Sequence, residues 1–178
     1  TDFSPGARSP TTGKFDLARS NKGFFKVSDG KRTYLTRDGQ FGVNSRGELV
    51  TRGNGYSVLG TGNAPITGIT GSDDVKVDID GTIRQGEDVV NTIQVVEPDN
   101  LRDLHKAGNN MYVATGKLRA ADPDEAPVRQ GFIEQSTVNP IQEMTQLIET
   151  ARAFEANINM IKHQDEALGR LLSSMPRK

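Results

Sequence analysis

The chain is organised around residues 139–175, which read NPIQEMTQLIETARAFEANINMIKHQDEALGRLLSSM. Its apolar residues recur at alternating steps of three and four positions, a spacing typical of a coiled-coil helix rather than of an ordinary surface helix. We define the helix seam as Met144, Leu147, Ala151, Phe154, Ile158, Ile161, Leu168, Leu172 and Met175. Asp165 is the polar residue in this series. It is either tolerated near a solvated end or fixes register at a cost in stability, and the sequence leaves both interpretations open.

Both ends of the predicted helix carry residues that begin and end helices. Asn139 is a good N-cap, Pro140 is tolerated at the first position, Gln142 can complete a capping box, and Pro176 stops the helix. The helix would be about 54 Å long at 1.5 Å per residue, too long for most of it to lie across a small domain. An apolar stripe usually packs on its own domain. Here the length and the period favour a partner outside it, and the mixed charges of the outward face indicate a protein rather than a membrane surface.

Composition excludes several classes of function. The chain has 178 residues, 34% of them hydrophobic, a formal net charge of -1 and no cysteine. Disulfides, thiolate chemistry and Cys-rich zinc sites are therefore excluded. No cluster of Lys or Arg indicates nucleic acid as a partner, and no apolar stretch is long enough to insert into a membrane. The sequence begins at Thr1 without a signal peptide, and we expect the natural N terminus to lie upstream.

A hairpin-rich β domain is predicted between residues 14 and 118. Apolar residues alternate with polar ones from Phe15 onward, and turn signals recur about every eight to ten residues, at Asp29-Gly30, Asp38-Gly39, residues 44–47 and Asn54-Gly55. A further turn is predicted at Asp80-Gly81 and a single strand at residues 89–96. This pattern is typical of an all-β sandwich or barrel. The fold class is therefore a mainly β domain with one long C-terminal helix of coiled-coil type. Residues 1–13 are predicted to be an extended connecting arm, 119–138 a linker and 139–176 the coiled-coil helix.

We find no pattern that predicts a catalytic, cofactor or metal site. Asp78, Asp80 and Gly81 resemble part of a calcium loop but lack its further oxygen ligands, so a hairpin turn is the better interpretation. Asp73 and Asp74 are neighbours that would point to opposite faces of a strand. The two histidines, His105 and His163, lie in different elements without a nucleophile motif. The glycine-rich stretch at 60–63 lacks the Lys and the helix of a phosphate loop.

Several motifs in order resemble the bacterial flagellar rod and hook proteins. These are FDLA at 15–18, GFFKV at 23–27, YLTRDGQF at 34–41, GELVT at 47–51, GYSVLG at 55–60, GFIEQSTVN at 131–139 and ARAFEAN at 151–157. We define the family-signature residues as Leu17, Gly23, Phe24, Phe25, Arg37, Asp38, Gly39, Gly131, Glu134, Asn139, Arg152, Glu155 and Asn157. The sequence departs from the family pattern by an inserted Leu35, by Thr137 in place of Asn, and by Pro140 after Asn139.

The resemblance implies a structural subunit of the flagellar rod in the basal body, without catalysis or a cofactor. It implies that the helix seam pairs with an N-terminal helix located before Thr1, and that residues 3–13 belong to the arm that contacts neighbouring subunits. The implied partners are identical subunits, other rod and hook proteins, and the flagellar type III export apparatus. The implied location spans the periplasm, after export without a cleaved signal peptide.

Alternatives remain at this stage. A hook or other axial subunit would carry the same motifs, although the β domain has no large insertion of the kind that favours a hook protein. Within the rod, residues 168–175 resemble the proximal component more, whereas VLG at 58–60 and STVN at 136–139 suit the distal one equally well, and the proximal component is narrowly favoured. A non-flagellar adhesin or scaffold on a helical stalk would need no axial stacking. An enzyme or carbohydrate-binding module would need a deep polar pocket with a perturbed carboxylate.

Overall fold

The computed structural model describes residue 3 and residues 6–19, 23–70, 75–123 and 127–174, with side chains described as far as residue 170. Asp73, Asp74 and Met175 lie outside the described residues, as does the side chain of Leu172. The chain divides into two compact units, Thr1–Thr137 and Val138–Lys178. The first unit contains the described strands and the second contains the long helix, so the predicted fold class of a mainly β domain with one C-terminal helix is confirmed.

The described strands of the first unit are short. They are β1 Arg8–Pro10, β2 Leu17–Arg19, β3 Phe24–Ser28, β4 Thr33–Thr36, β5 Phe41–Val43, β6 Leu49–Thr51, β7 Ser57–Val58, β8 Val75–Val77, β9 Thr82–Gln85, β10 Asp88–Thr92, β11 Val95–Pro98, β12 Leu104–Gly108, β13 Met111–Ala114, β14 Leu118–Ala120, β15 Val128–Gln130 and β16 Phe132–Glu134. A 3-10 turn, Leu101–Asp103, precedes β12, and α1 spans Pro140–Ser174.

A nine-stranded antiparallel sheet forms the centre of the first unit. Its main path runs β12-β13-β4-β3-β7-β6-β5, and β11 joins it by pairing with β3 and with β14. Strand β3 therefore has β4 along one edge and shares its other edge between β7 and β11. A three-stranded sheet, β10-β9-β8, and two ribbons, β1-β16 and β2-β15, complete the pairing of the described strands, which do not close into a barrel.

Local hydrogen bonds explain why the predicted turns close hairpins. Between β3 and β4, the Asp29 carboxylate accepts from the backbone N–H of Lys31 at 2.8 Å and of Arg32 at 2.6 Å. Between β5 and β6, the Asn44 amide oxygen accepts from Arg46 N at 2.9 Å, and Asp80 does the same for Thr82 N between β8 and β9. Short Asp and Asn side chains satisfy turn N–H groups in this way. The hairpins predicted at these three turns are therefore confirmed.

The Asp38-Gly39 turn signal does not close a hairpin. Strand β4 pairs with β3 and β13, whereas β5 pairs with β6. Residues 37–40 instead carry the chain past β2, where Leu17 N donates to Gly39 O at 3.0 Å. A Cβ on Gly39 would collide with the carbonyl oxygen of Leu17. Glycine is needed here because two backbones approach closely, not because the chain reverses.

The structure also divides the single strand predicted at 89–96. Strand β10 belongs to the three-stranded sheet and β11 to the large one. Between them, Ile93 N donates to Gly81 O at 2.9 Å and Gln94 N donates to Leu59 O at 3.0 Å. These two bonds lead the chain from one sheet to the other, so the apolar run from Val89 to Val96 serves both.

Strands also occur in the segments predicted as arm and linker. Within residues 1–13, β1 pairs with β16, and within residues 119–138, β15 pairs with β2. Gln130 fixes β15 further, because its amide donates to Lys14 O at 2.7 Å and to Val75 O at 3.1 Å. The polar composition of both segments suits their edge positions, and their backbone groups are satisfied by pairing across a large sequence separation.

Two groups of buried side chains hold the first unit together. The larger core includes Phe25 and Phe41, whose rings meet edge to face at 5.2 Å. The smaller core consists of Phe24, Leu35 and Val96. Because Phe24 and Phe25 are successive residues on β3 and point to opposite faces, this strand contributes to both cores.

Candidate subunit-interaction surface

The long helix begins with a side-chain cap. Asn139 Oδ1 accepts from Ile141 N at 3.1 Å, and Asn139 O accepts the helical bond from Glu143 N at 3.1 Å. Pro140 is the first residue of α1, where its missing N–H costs nothing. The predicted cap at Asn139 is therefore confirmed, and this signature residue fixes where the helix starts.

The seam residues form one exposed apolar stripe along α1. Leu147 is 71% exposed and Phe154 is 67% exposed, and the other described seam side chains are exposed as well: Met144, Ala151, Ile158, Ile161 and Leu168. Leu172 lies in the helix, and Met175 lies outside the described residues. Large exposed apolar side chains that share one face of a helix are typical of surfaces that bind another protein.

Two further apolar side chains widen the stripe. Ile141 and Ile148 are seven residues apart, are 76% and 52% exposed, and flank the seam on one side. They were not assigned to the seam from the sequence, although their seven-residue spacing is a detectable signal. The apolar surface is consequently broader in the first half of α1 than in the second half.

Of the remaining helix signature residues, Glu155 and Asn157 lie beside the seam and Arg152 lies on the outward face. Arg152, Glu155 and Asn157 are exposed polar residues of α1. In a coiled-coil interface, positions beside the apolar seam contribute polar contacts that select the partner. The structure therefore separates an apolar row from its polar flank.

The signature residues of the first unit are mostly structural. Leu17, Phe24 and Phe25 are buried in the cores. Gly23 has φ +129°, and a Cβ there would meet the Arg19 side chain and lie 3.3 Å from Glu97 Cγ. Glycine at this position therefore lets β3 begin beside a buried arginine.

Arg37 joins the arm to the smaller core. Its guanidinium lies over the rings of Phe3 and Phe24, with distances of 5.2 Å and 5.0 Å to the ring centroids, and its Nη1 donates to Phe3 O at 2.6 Å. Tyr112 completes the aromatic group at 5.4 Å from Phe3 and 5.8 Å from Phe24. Cation–π contact and a backbone bond thus hold residue 3 on the domain. The neighbouring Asp38 accepts from Gln40 N at 3.0 Å and shapes the following turn.

Gly131 and Glu134 connect the end of the first unit to its beginning. Gly131 N donates to Asp16 O at 2.8 Å, and Thr11 N donates to Gly131 O at 2.9 Å. The Glu134 carboxylate accepts from Gly6 N at 2.9 Å. These bonds, with the β1-β16 ladder, hold the segment before residue 8 alongside the segment that leads to residue 135.

Buried charged residues, among them Asp16 and Arg19, were missed by sequence reasoning. Asp16 is 4% exposed and binds Arg52 Nη2 at 3.0 Å. Arg19 is 3% exposed, with its guanidinium 5.6 Å from the Phe25 ring centroid. Burial, and then the nearby positive charge of Arg37, lowers the pKa of Arg19 to about 10, while Glu134 and Glu97 act in the opposite direction. Their positions within an apolar run were the only available signal.

The described residues offer little support for other kinds of site. No group of three His, Cys, Asp or Glu side chains among them is arranged to hold a metal ion. Two of their clefts are open and are lined by turn residues, Asn44 and Gly47 in one and Asp38 and Asn110 in the other. Within the same residues, no helix combines the length and the apolar character needed to cross a bilayer.

Comparison with known proteins agrees with these features. Residues 129–174 match the family model for the flagellar basal body rod FlgEFG protein C-terminal, and residues 20–85 match that for the flagellar hook protein FlgE/F/G D1 domain. The flagellar basal-body rod protein FlgF of Caulobacter vibrioides is 38% identical over 93% of this chain and 67% of its own length. FlgG of Bacillus subtilis is 30% identical, covering 97% and 70%, and FlgF of Salmonella typhimurium is 31% identical, covering 95% and 71%. The chain belongs to the family of flagellar basal-body rod proteins.

Proposed function

We propose that this chain is a structural subunit of the bacterial flagellar rod, and that the helix seam is the surface through which it assembles. The observation that carries the proposal is the exposed apolar row from Met144 to Leu168. Burying one such side chain contributes about 1.5–3 kcal/mol, so covering the row would drive association without any chemical step. The relatives that match along nearly the whole chain are named basal-body rod proteins, which supports a rod subunit over a hook subunit.

The proposed arrangement pairs α1 with a helix from the same polypeptide or from neighbouring rod and hook subunits. The β1-β16 ladder supports it, because the ladder and the Gly6–Glu134 bond hold the beginning of the first unit alongside residues 132–135, which are close in sequence to the start of α1. The first unit would set the lateral spacing between subunits. Residues 3–13 would contact neighbouring subunits, with Phe3 held against Phe24 and Tyr112. Helix pairing and the contacts between subunits require neither catalysis nor a cofactor.

The test places a charge on the seam. Phe154→Asp or Ile158→Asp in the full-length protein should abolish rod assembly, observed by electron microscopy of isolated basal bodies and by loss of swimming. Met160→Asp is the matched control, since Met160 is a large apolar residue of α1 that is 59% exposed but lies off the seam. The thermal unfolding of the first unit should be unchanged in all three variants. Wild-type assembly by Phe154→Asp would refute the proposed surface.

The proposed location is the basal body across the periplasm, reached through the flagellar type III apparatus without a cleaved signal peptide. The export apparatus is then a transient partner. Disabling that apparatus should retain the protein inside the cell with its N terminus unprocessed. Recovery of a shortened, processed protein from the periplasm of such cells would contradict this route.

A further inference from the structure

Asp165 interrupts the seam within the helix rather than at its edge. In heptad notation the seam residues occupy positions a and d, and Asp165 takes an a position between Ile161 and Leu168. Leu168, Leu172 and Met175 continue the pattern after it. A partner helix that covers the seam on both sides of Asp165 would therefore also cover its carboxylate.

The helix itself does not neutralise this carboxylate. Lys162 precedes Asp165 by three residues, yet among the described residues no ion pair involves Asp165. The contact on this turn is between His163 Nδ1 and Glu166 Oε2 at 3.9 Å, which is an ion pair only when the imidazole is protonated. Asp165 is exposed, so its carboxylate is hydrated.

A partner helix that covers the seam removes the hydration of this carboxylate. An unpaired carboxylate loses its hydration when it moves from water into an apolar interface, and this penalty is comparable to the gain from burying one or two seam residues. In a parallel two-stranded coiled coil, a positions of the two helices face each other. Two copies of α1 in register would thus place both Asp165 carboxylates in contact, which adds repulsion to the desolvation cost.

We propose that Asp165 selects the partner of the helix seam. The partner is a helix with its own apolar seam that presents Lys or Arg opposite Asp165, and parallel, in-register pairing of two copies of α1 is excluded. The charge pair also sets the register, since a shift of one heptad would leave both charges buried and unpaired. This inference rests on the proposed function, because it requires the seam to be the assembly surface.

The variant Asp165→Leu distinguishes two roles of Asp165: selection of the partner helix, and a polar residue that the seam merely tolerates. Leucine removes the repulsion between copies, so self-association of the purified chain, measured by sedimentation equilibrium, should strengthen at least about tenfold. In cells the same variant should assemble at least about tenfold less rod, because the partner's cation is left buried without a counter-charge. Glu166→Leu, on the next residue and off the seam, is the matched control and should change neither measurement.

Charge reversal identifies the partner position. Asp165→Lys should stop assembly, and swimming revertants should carry a Lys or Arg changed to Asp or Glu in one helical segment. Revertants scattered outside helices would overturn the proposal, as would wild-type assembly and unchanged self-association in Asp165→Leu. If only the inference about Asp165 fails, Phe154→Asp still blocks assembly while the Asp165 variants assemble normally. If the helix seam is not the assembly surface, Phe154→Asp itself assembles.

Discussion

Replacing Gly39 with alanine should destabilise the first unit, although the same change stabilises many loops. An added Cβ would overlap the carbonyl oxygen of Leu17, which belongs to the backbone of β2 and cannot rotate away. The segment must shift, and Gly39 O accepts two bonds that the shift would weaken, from Leu17 N and from Phe41 N, each at 3.0 Å.

The magnitude follows from these contacts. Each weakened hydrogen bond contributes about 1 kcal/mol, and forcing an extra methyl group into a packed site costs about 1–3 kcal/mol. The reduced freedom of the unfolded chain returns about 0.4–1 kcal/mol. The free energy of unfolding should therefore fall by about 3 kcal/mol, on the order of 10 °C in Tm for a unit of this size.

The assay is urea unfolding of the chain, followed by tyrosine fluorescence or near-ultraviolet circular dichroism. Gly42→Ala is the matched control, because Gly42 lies three residues further on, in β5, with no atom within 4 Å of its would-be Cβ. That variant should be neutral or slightly more stable. Equal stability of the two variants would refute the claim that Gly39 is required by the close approach of β2.

Two further predictions concern the helix cap and the hydrogen bonds of one half-buried carboxylate, Glu48. Asn139→Ala should cost about 1 kcal/mol at the start of α1 and speed amide hydrogen exchange at Ile141, whereas Asn139→Asp should not; unchanged exchange in the alanine variant would contradict the cap. The Ser57 hydroxyl and the Asn44 amide hold the pKa of Glu48 below its ordinary value of 4.5. The stability from this shift is present above the ordinary pKa and is lost as pH falls through the folded pKa. The free energy of unfolding of Glu48→Gln should consequently be lower than that of wild type at neutral pH and equal to it in strong acid. If the two free energies differed by the same amount at all pH values, the hydrogen bonds to the ionised carboxylate would not be the source of the difference.

The elements predicted correctly from the sequence are those that local interactions determine. The hairpin at Asp29 depends on bonds between residues two or three apart, and α1 depends on its own periodicity and on Asn139. The hairpin and the helix can therefore be recognised in the sequence without knowledge of their tertiary contacts.

The elements that escaped prediction depend on distant partners. Nothing near β1 or β15 indicates that they pair with β16 and β2, because such short polar strands take their partners from tertiary packing. The same limit applies to Gly39, whose turn-like dipeptide serves a backbone contact with Leu17. On the candidate surface, the seam follows from spacing alone, while the position of Arg37 between Phe3 and Phe24 requires the folded sheet.

The ribbons β1-β16 and β2-β15 also constrain when the first unit can fold. The Gly6–Glu134 hydrogen bond joins residues 128 positions apart, so closure must wait for the whole intervening chain. Contacts of such long sequence separation slow folding because the loop must lose its freedom before the contact forms. If the subunit passes through a narrow channel from its N terminus, both ribbons would therefore be closed only after residue 134 had emerged, with α1 the last element to follow.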